Sequence, residues 1–187
     1  MSDATVLDDP TRHDDDHVVL LYDTEQALVQ SVATFLAPGL LLDEAVLVVA
    51  TPEHRALFAA ALTVVDPELP AHRAAGRYVE LDAEETLGAF FQGGRLSPLG
   101  FNSAVGRVIR ELSEQHGRVH IYGEMVACLW NRGDATTAVQ LEHLWNDLAR
   151  DHDFRLCCAY HSSLLLRDME QVDGMIAAHS TTSWVDR

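Results

Sequence analysis

The chain has 187 residues, of which 48% are hydrophobic and 22% are charged, a composition typical of a globular domain with a sizeable core. Thirteen Lys and Arg stand against 29 Asp and Glu, so the formal net charge is −16. Such a negative surface repels phosphate backbones and anionic lipids, which argues against direct binding to nucleic acids or membranes.

The N-terminal segment and the cysteines indicate a cytoplasmic protein. Residues 1–16 are rich in aspartate and lack apolar periodicity, so we predict a disordered, solvated lead rather than a signal or transit peptide. No stretch approaches the roughly 20 apolar residues of a membrane span. The three cysteines are Cys128 and the adjacent pair Cys157 and Cys158, whose side chains point to opposite faces if the pair lies in a strand. A disulfide framework is therefore not expected, as is usual in a reducing compartment.

The first part of the chain predicts two strand–helix units followed by a loop. Residues 18–22 form a short, continuous apolar run, which is typical of a strand buried on both faces, and Asp23 or Thr24 can cap the helix that follows. Residues 45–50 predict a second buried strand, and Thr51-Pro52 is a strong helix start. The polar residues 66–76 predict a loop.

The rest of the chain continues the alternation of strands and helices. The predicted elements are, in order, a strand at 77–81, a short helix capped by Asp82, a helix at 101–112, a strand at 119–122, a short helix around Trp130, a helix capped by Asp134, a strand at 156–160 and a final helix around 169–179. Strands that alternate with helices indicate βαβ units and a mostly parallel sheet. Right-handed crossovers place helices on both faces, so we predict a three-layer α/β/α sandwich. We predict one domain over residues 17–180 and a short tail over 181–187.

A ligand site is expected where the predicted strands end. In an open parallel sheet, ligands bind beyond the carboxyl ends of the strands. Three residues at the carboxyl ends of the predicted strands are Thr51, Asp82 and Gly123. The residues that we predict to line a ligand site are Tyr22, Asp23, Glu124, Trp130, Tyr160 and His161. The sequence favours a pocket position and a core position equally for Trp130. Trp145, by contrast, is predicted to lie in the apolar stripe of a helix.

The loop after the first strand lacks the means to hold a nucleotide. Phosphate-binding loops need glycines for close backbone approach and a lysine for the β- and γ-phosphates. Residues 21–27 contain neither, and Asp23 and Glu25 would repel phosphate. Glu124 stands where RecA-like ATPases place an acid that handles magnesium or water, although it could equally pair with an arginine or cap the next helix.

Motifs for metal binding and nucleophilic catalysis are also missing from the sequence. Among the ten histidines, those that flank strands lack metal-site spacing, and Cys157-Cys158 lacks the C-x-x-C spacing of zinc ligands. There is no G-x-S-x-G elbow. We therefore predict no metal site, no cofactor and no catalytic residues.

Six short motifs in a fixed order resemble the MEDS family, a sensory domain named after methanogens, methylotrophs and a regulator of dichloromethane use. They are H-V-V-L-L-Y at 17–22, L-V-V-A-T-P-E-H at 47–54, Y-G-E-M at 122–125, L-E-H-L-W-N at 141–146, L-C-C-A-Y at 156–160 and A-A-H-S at 177–180. The resemblance covers residues 17–180. It implies a RecA/KaiC-like fold without a working phosphate loop that senses small organic molecules such as simple hydrocarbon derivatives.

The same resemblance singles out motif positions across the chain. These are His17, Tyr22, Glu124, Trp130, Asn146, Cys158, Tyr160 and His179. His17 opens its strand, about 16 Å from the carboxyl end at about 3.3 Å per residue, so we expect it not to share a site with Glu124. His161 departs from the apolar residue expected there, which would alter one edge of a pocket.

Three functions compete on the sequence. The preferred hypothesis is a non-enzymatic sensor that binds a small organic ligand and signals through a partner protein, such as a histidine kinase, an anti-sigma factor or a transcription regulator. Only eight residues follow His179, too few for an output module. The alternatives are a pure protein-interaction adaptor, for which the acidic surface favours a basic partner, and a divergent NTPase or metal hydrolase. Self-association remains open.

Overall fold

A computed structural model describes residues 16–163 and 169–185, with no side-chain detail for 169–171. The strands are β1 (His17–Tyr22), β2 (Ala45–Ala50), β3 (Tyr78–Asp82), β4 (Phe91–Gln92), β5 (Arg95–Leu96), β6 (Val119–Gly123), β7 (Phe154–His161) and β8 (Thr181–Val185). Six of them form one parallel sheet in the order β3-β2-β6-β7-β1-β8, and β4 and β5 form a separate hairpin. The predicted disordered lead lies, apart from Asp16, outside the described residues.

The helices lie on both faces of this sheet, which confirms the predicted three-layer α/β/α architecture. They are α1 (Glu25–Leu41), α2 (Pro52–Val65), α3 (Leu69–Ala74), α4 (Ala83–Phe90), α5 (Pro98–Phe101), α6 (Arg107–His116), α7 (Met125–Asn131), α8 (Ala135–Leu148) and α9 (Met169–Ala177). The predicted caps are confirmed at Thr24, Thr51, Asp82 and Asp134, each of whose side chains accepts a hydrogen bond from a backbone N–H in the first turn. Each cap satisfies a donor that would otherwise have no helical partner.

The two faces of the sheet carry separate hydrophobic cores. One core packs the sheet against α1, α2 and α3, and the other packs it against the helices from α4 to α9. Adjacent strand residues enter different cores, so Cys157 faces α1–α3 and Cys158 faces α4–α9. All three cysteines are buried and free. Trp145, fully buried, lies in the core as predicted.

Three segments differ from the sequence-based expectation. Residues 66–76, predicted as a loop, contain α3, in which Leu69 is buried beside the first core. The helix predicted over 101–112 is interrupted by a π-helical turn at Asn102–Gly106. The tail predicted over 181–187 contains β8, which pairs with β1. An edge strand needs only one hydrogen-bonded neighbour and one apolar face. A short polar segment such as this one is therefore hard to recognise as a strand from its sequence.

Candidate functional site

Glu124 lies at the carboxyl edge of the sheet, directly after β6, and its side chain joins two strand ends. Its Oε2 accepts a hydrogen bond of 2.8 Å from the backbone N–H of Thr51, the residue after β2. Its Oε1 lies 2.5 Å from Nδ1 of His54, in the first turn of α2. Glu124 is only 7% exposed. The carboxylate is therefore held in place by the protein itself.

The charge of Glu124 affects the titration of the groups around it. Its hydrogen bond raises the pKa of His54 above the usual range despite partial burial, and the nearby Glu25 and Glu53 act in the same direction. Burial, followed by the negative charges of Glu124 and Glu25, raises the pKa of Tyr22 to about 12. Tyr22 is consequently a neutral hydroxyl beside an anionic group.

Tyr22, Asp23 and His161 lie together at the neighbouring strand ends. The rings of Tyr22 and His161 meet edge to face with their centroids 5.3 Å apart. The hydroxyl of Ser162 donates to Asp23. With Glu124 nearby, four of the six predicted ligand residues lie at this edge.

Trp130 and Tyr160 lie on the other side of the sheet and inside the core. Their ring centroids are 5.3 Å apart, and their side chains face α4–α9, whereas Tyr22 packs against the α1–α3 core. Tyr160 is fully buried, and its hydroxyl donates to Oε1 of Glu142 at 2.6 Å. The six predicted residues therefore do not form a single cluster.

The first turn of α1, where a phosphate-binding loop would place its ligand, is capped by the side chain of Thr24. The hydroxyl of Thr24 accepts from the N–H of Ala27 at 3.2 Å. Asp23 is exposed just before this cap, and Glu25 follows it. An anionic phosphate would meet two carboxylates there.

A second group of polar side chains is buried between the sheet and α8. Its members are His17 at the start of β1, Glu142 in α8, Cys158 in β7 and His179 between α9 and β8. One donor atom from each residue lies within 4.8 Å of all the others, and we call this set the four-residue cluster. Cys158, Glu142 and the side chain of His179 are 0% exposed, and that of His17 is 9% exposed.

The contacts within the four-residue cluster are two histidine–carboxylate ion pairs and two hydrogen bonds that involve sulfur. Nε2 of His17 lies 3.3 Å from Oε2 of Glu142, and Nε2 of His179 lies 3.3 Å from Oε1. Sγ of Cys158 lies 3.4 Å from Oε2 of Glu142 and 3.7 Å from Nε2 of His17. These atoms are of the types that bind transition metals in proteins.

A second layer of hydrogen bonds orients the two histidines. Nδ1 of His17 lies 2.8 Å from Oδ1 of Asn146, whose Nδ2 donates to the carbonyl of Ala178. Nδ1 of His179 lies 2.7 Å from the carbonyl of Met175. Both partners are acceptors, so each Nδ1 carries a proton, and each Nε2 faces the cluster.

The charges in the cluster interact strongly because it is buried. Burial opposes ionisation of Glu142, but the two histidines hold the pKa of its carboxyl well below the usual range. Burial lowers the pKa of His179, but Glu142 has the larger combined effect and raises it. Burial and the charge of Glu142 raise the pKa of the Cys158 thiol well above its usual range. Without an added cation, Glu142 is an anion paired with the histidines.

Comparison with protein families identifies the domain. The model of the MEDS family, described as the methanogen/methylotroph, DcmR sensory domain, matches residues 16–180. The chain belongs to the MEDS family. The match covers most of the chain, confirms the resemblance found in the sequence and gives this MEDS domain a sensory role. A search of curated proteins found no significant relative.

The sequence predicted a ligand site at the carboxyl edge of this MEDS domain and did not predict the four-residue cluster. Its members are far apart along the chain, so no local spacing reveals them, although all four lie within the quoted family motifs. One usable signal was Glu142, a carboxylate next to Leu141 on the apolar side of α8. Of the residues described, no helix is both long enough and apolar enough to cross a membrane.

Proposed function

We propose that this MEDS domain is a non-catalytic sensor that binds a small organic ligand at the carboxyl edge of its sheet and passes the signal to a partner protein. The observation that supports this proposal is the group of polar side chains at that edge, namely Glu124, His54 and Tyr22. Glu124 and His54 offer a fixed acceptor and donor, and Tyr22 offers a neutral hydroxyl beside them. Such a set recognises a small polar group, while neighbouring aromatic surface accepts an apolar one.

Recognition fits this edge better than nucleotide hydrolysis. Each oxygen of the Glu124 carboxylate already has one partner, the N–H of Thr51 or the ring of His54. A ligand can still donate a hydrogen bond to it, whereas a magnesium ion would compete with both partners. The start of α1 is capped by Thr24 and flanked by acidic residues. A triphosphate would therefore meet two carboxylates and a capped Ala27 N–H there, and residues 21–27 supply no lysine.

The partner of this sensor is expected to present a basic surface. The net charge of −16 disfavours nucleic acid and favours a positively charged protein. Four large apolar side chains are exposed at the ends of two adjacent helices and are available for contact: Leu41, Leu42, Val64 and Val65. A histidine kinase, an anti-sigma factor or a transcription regulator would each fit this role, in which the ligand changes the affinity for the partner.

Ligand binding is tested by a thermal-shift screen of the full chain with small alcohols, haloalkanes and related metabolites. A ligand at 100 times its Kd stabilises the folded state by about 2.7 kcal/mol, which shifts the melting temperature measurably. The shift should disappear in Glu124→Gln and persist in Glu53→Gln, whose exposed carboxylate lies in the same turn of α2 as His54. Equal shifts in both variants would place the ligand elsewhere.

Signalling is tested by purifying the chain with its partners from its host, with and without the ligand found in the screen. A sensor should retain different amounts of partner in the two conditions. Identical retention would instead identify an adaptor that does not respond to ligands. If the chain binds magnesium-ATP with micromolar affinity and Glu124→Gln loses that binding, the protein is a divergent NTPase rather than a sensor or an adaptor.

A further inference from the structure

We propose that His17, Glu142, Cys158 and His179 bind one divalent transition-metal ion, with Zn²⁺ as the expected ion. This site is separate from the carboxyl-edge site, and its existence does not depend on the proposed ligand. Zinc bonds of about 2.0–2.3 Å place tetrahedral ligand atoms about 3.3–3.8 Å apart. The three separations among Oε2 of Glu142, Nε2 of His17 and Sγ of Cys158 are 3.3, 3.4 and 3.7 Å and agree with this geometry. Nε2 of His179 lies 3.3 Å from the other carboxylate oxygen, Oε1, of Glu142.

The hydrogen bonds around the histidines prepare their inner nitrogens for a metal. Metal-binding histidines almost always donate their other ring N–H to a carbonyl or carboxylate, which fixes the tautomer and the ring orientation. His17 does so to Asn146, and His179 does so to Met175. Asn146 is itself fixed by its bond to Ala178, so the support for His17 extends one layer further.

The unpartnered nitrogen of His179 is the second observation that points to an ion. The side chain is 0% exposed, yet among the described residues Nε2 finds no hydrogen-bond partner. Nε2 of His179 lies 3.3 Å from Oε1 of Glu142, but the contact lacks the geometry of a hydrogen bond. Buried polar atoms without hydrogen-bond partners are rare and costly, so this nitrogen, which has only its ion pair with Glu142, requires an explanation. A metal ion supplies one.

Charge balance favours a dication at this place. An ionised Glu142 and a thiolate at Cys158 contribute two negative charges, and two neutral imidazoles contribute none. One Zn²⁺ makes the assembly neutral, which removes most of the cost of burying ions. On binding, the Cys158 thiol loses its proton to solvent, because a coordinated thiol is deprotonated by the metal. The ion also displaces any proton from Nε2 of His179.

The ligand types select the class of metal. One sulfur and two imidazole nitrogens exclude calcium and magnesium, which prefer oxygen ligands. Two imidazoles, one thiolate and one carboxylate suit zinc, and four protein ligands complete its tetrahedron. The hydroxyl of Tyr160 donates to Oε1 of Glu142 and leaves Oε2 for the metal. We therefore expect a closed site with structural or sensory consequences rather than one that activates water.

The direct test uses the untagged full chain, treated with a chelator and then given one equivalent of Zn²⁺. After gel filtration, elemental analysis should find one zinc per chain. Replacement of zinc by Co²⁺ should produce the d–d bands of a tetrahedral site and a thiolate-to-cobalt charge-transfer band. A folded wild-type chain that retains no zinc and shows neither band would overturn the proposal.

Two adjacent cysteines provide a matched pair of variants. Cys158→Ser should lose the charge-transfer band and bind zinc at least about 10-fold more weakly, whereas Cys157→Ser should keep both, because Cys157 faces the opposite core. A charge-transfer band that survives in Cys158→Ser and disappears in Cys157→Ser would refute the assignment. Circular dichroism checks that both variants fold.

A variant outside the ligand set keeps the test decisive if Cys158→Ser does not fold. Asn146→Ala removes the support of His17 and leaves all four ligand atoms in place. It should lower zinc affinity by about 10- to 100-fold without removing the charge-transfer band. Unchanged affinity in a folded Asn146→Ala would mean that His17 is not a ligand, and the proposed site would fail.

Discussion

Replacement of Trp145 by alanine should destabilise this MEDS domain more than any surface change. The indole is 0% exposed and packs edge to face against Phe101 and Phe154, with centroid distances of 5.1 and 6.2 Å. A buried tryptophan removes about 150–250 Å² from water, or roughly 4–6 kcal/mol at about 25 cal/mol per Å². Measured Trp-to-Ala costs of about 3–5 kcal/mol include the cavity that remains. That is a large share of the roughly 5–15 kcal/mol by which a domain is stable.

The size of the effect is measured by urea unfolding, followed by circular dichroism at a fixed zinc concentration. Nε1 of Trp145 has no hydrogen-bond partner among the described residues, so Trp145→Phe loses only volume and should cost about 1–2 kcal/mol. Trp184, which is 61% exposed on β8, is the control, and Trp184→Ala should change stability by less than about 0.5 kcal/mol. A cost below about 1 kcal/mol for Trp145→Ala would refute the packing described for α8.

Three further substitutions test other parts of the fold. Gly39→Ala would place a Cβ 2.8 Å from the His120 ring and should cost about 1–3 kcal/mol in urea unfolding, and an unchanged midpoint would mean that α1 packs less closely. Thr24→Ala removes the cap of α1 and should lower the free energy of unfolding by about 1 kcal/mol, whereas Thr24→Asp should restore it. His54→Gln should be most destabilising at about pH 6, because the raised pKa of His54 gives stability that is complete below about 6.5 and is lost as the pH rises through the folded-state value. A cost that is the same at about pH 9 would show that the charge of His54 does not stabilise its contact with Glu124.

The main features of the fold could be predicted because the sheet is buried on both faces. Continuous apolar runs such as Ala45–Ala50 can hardly form anything but interior strands, and strong caps such as Thr51 mark the helix starts. Helix α3 was missed because Pro67 lies just before it and Pro70 is its second residue, and closely spaced prolines are typical of a loop. Strand β8 was missed because its burial alternates only between half-buried and exposed positions.

The candidate sites show a sharper limit of sequence-based prediction. The rule that ligands bind at carboxyl ends located Glu124 and Tyr22, but sequence alone did not reveal that Tyr160 packs into the opposite core. His54, which completes the Glu124 contact, is the last residue of the motif at 47–54, but nothing in that motif indicated that its side chain reaches Glu124. The four-residue cluster depends on register: Cys158 lies beside Val19 of β1, and that pairing is fixed only by the folded sheet.

The position of His17 and His179 has a consequence for how a signal could leave this domain. The backbone of His17 is hydrogen-bonded to Ser180, just before β8, through both main-chain and hydroxyl contacts. The outermost strand is thus tethered to the first strand at the point where the two imidazoles, with centroids 4.2 Å apart, turn toward Glu142. Because β8 is the edge strand and β1 is its one neighbour in the sheet, a separation of those rings would act directly on the contact between these two strands.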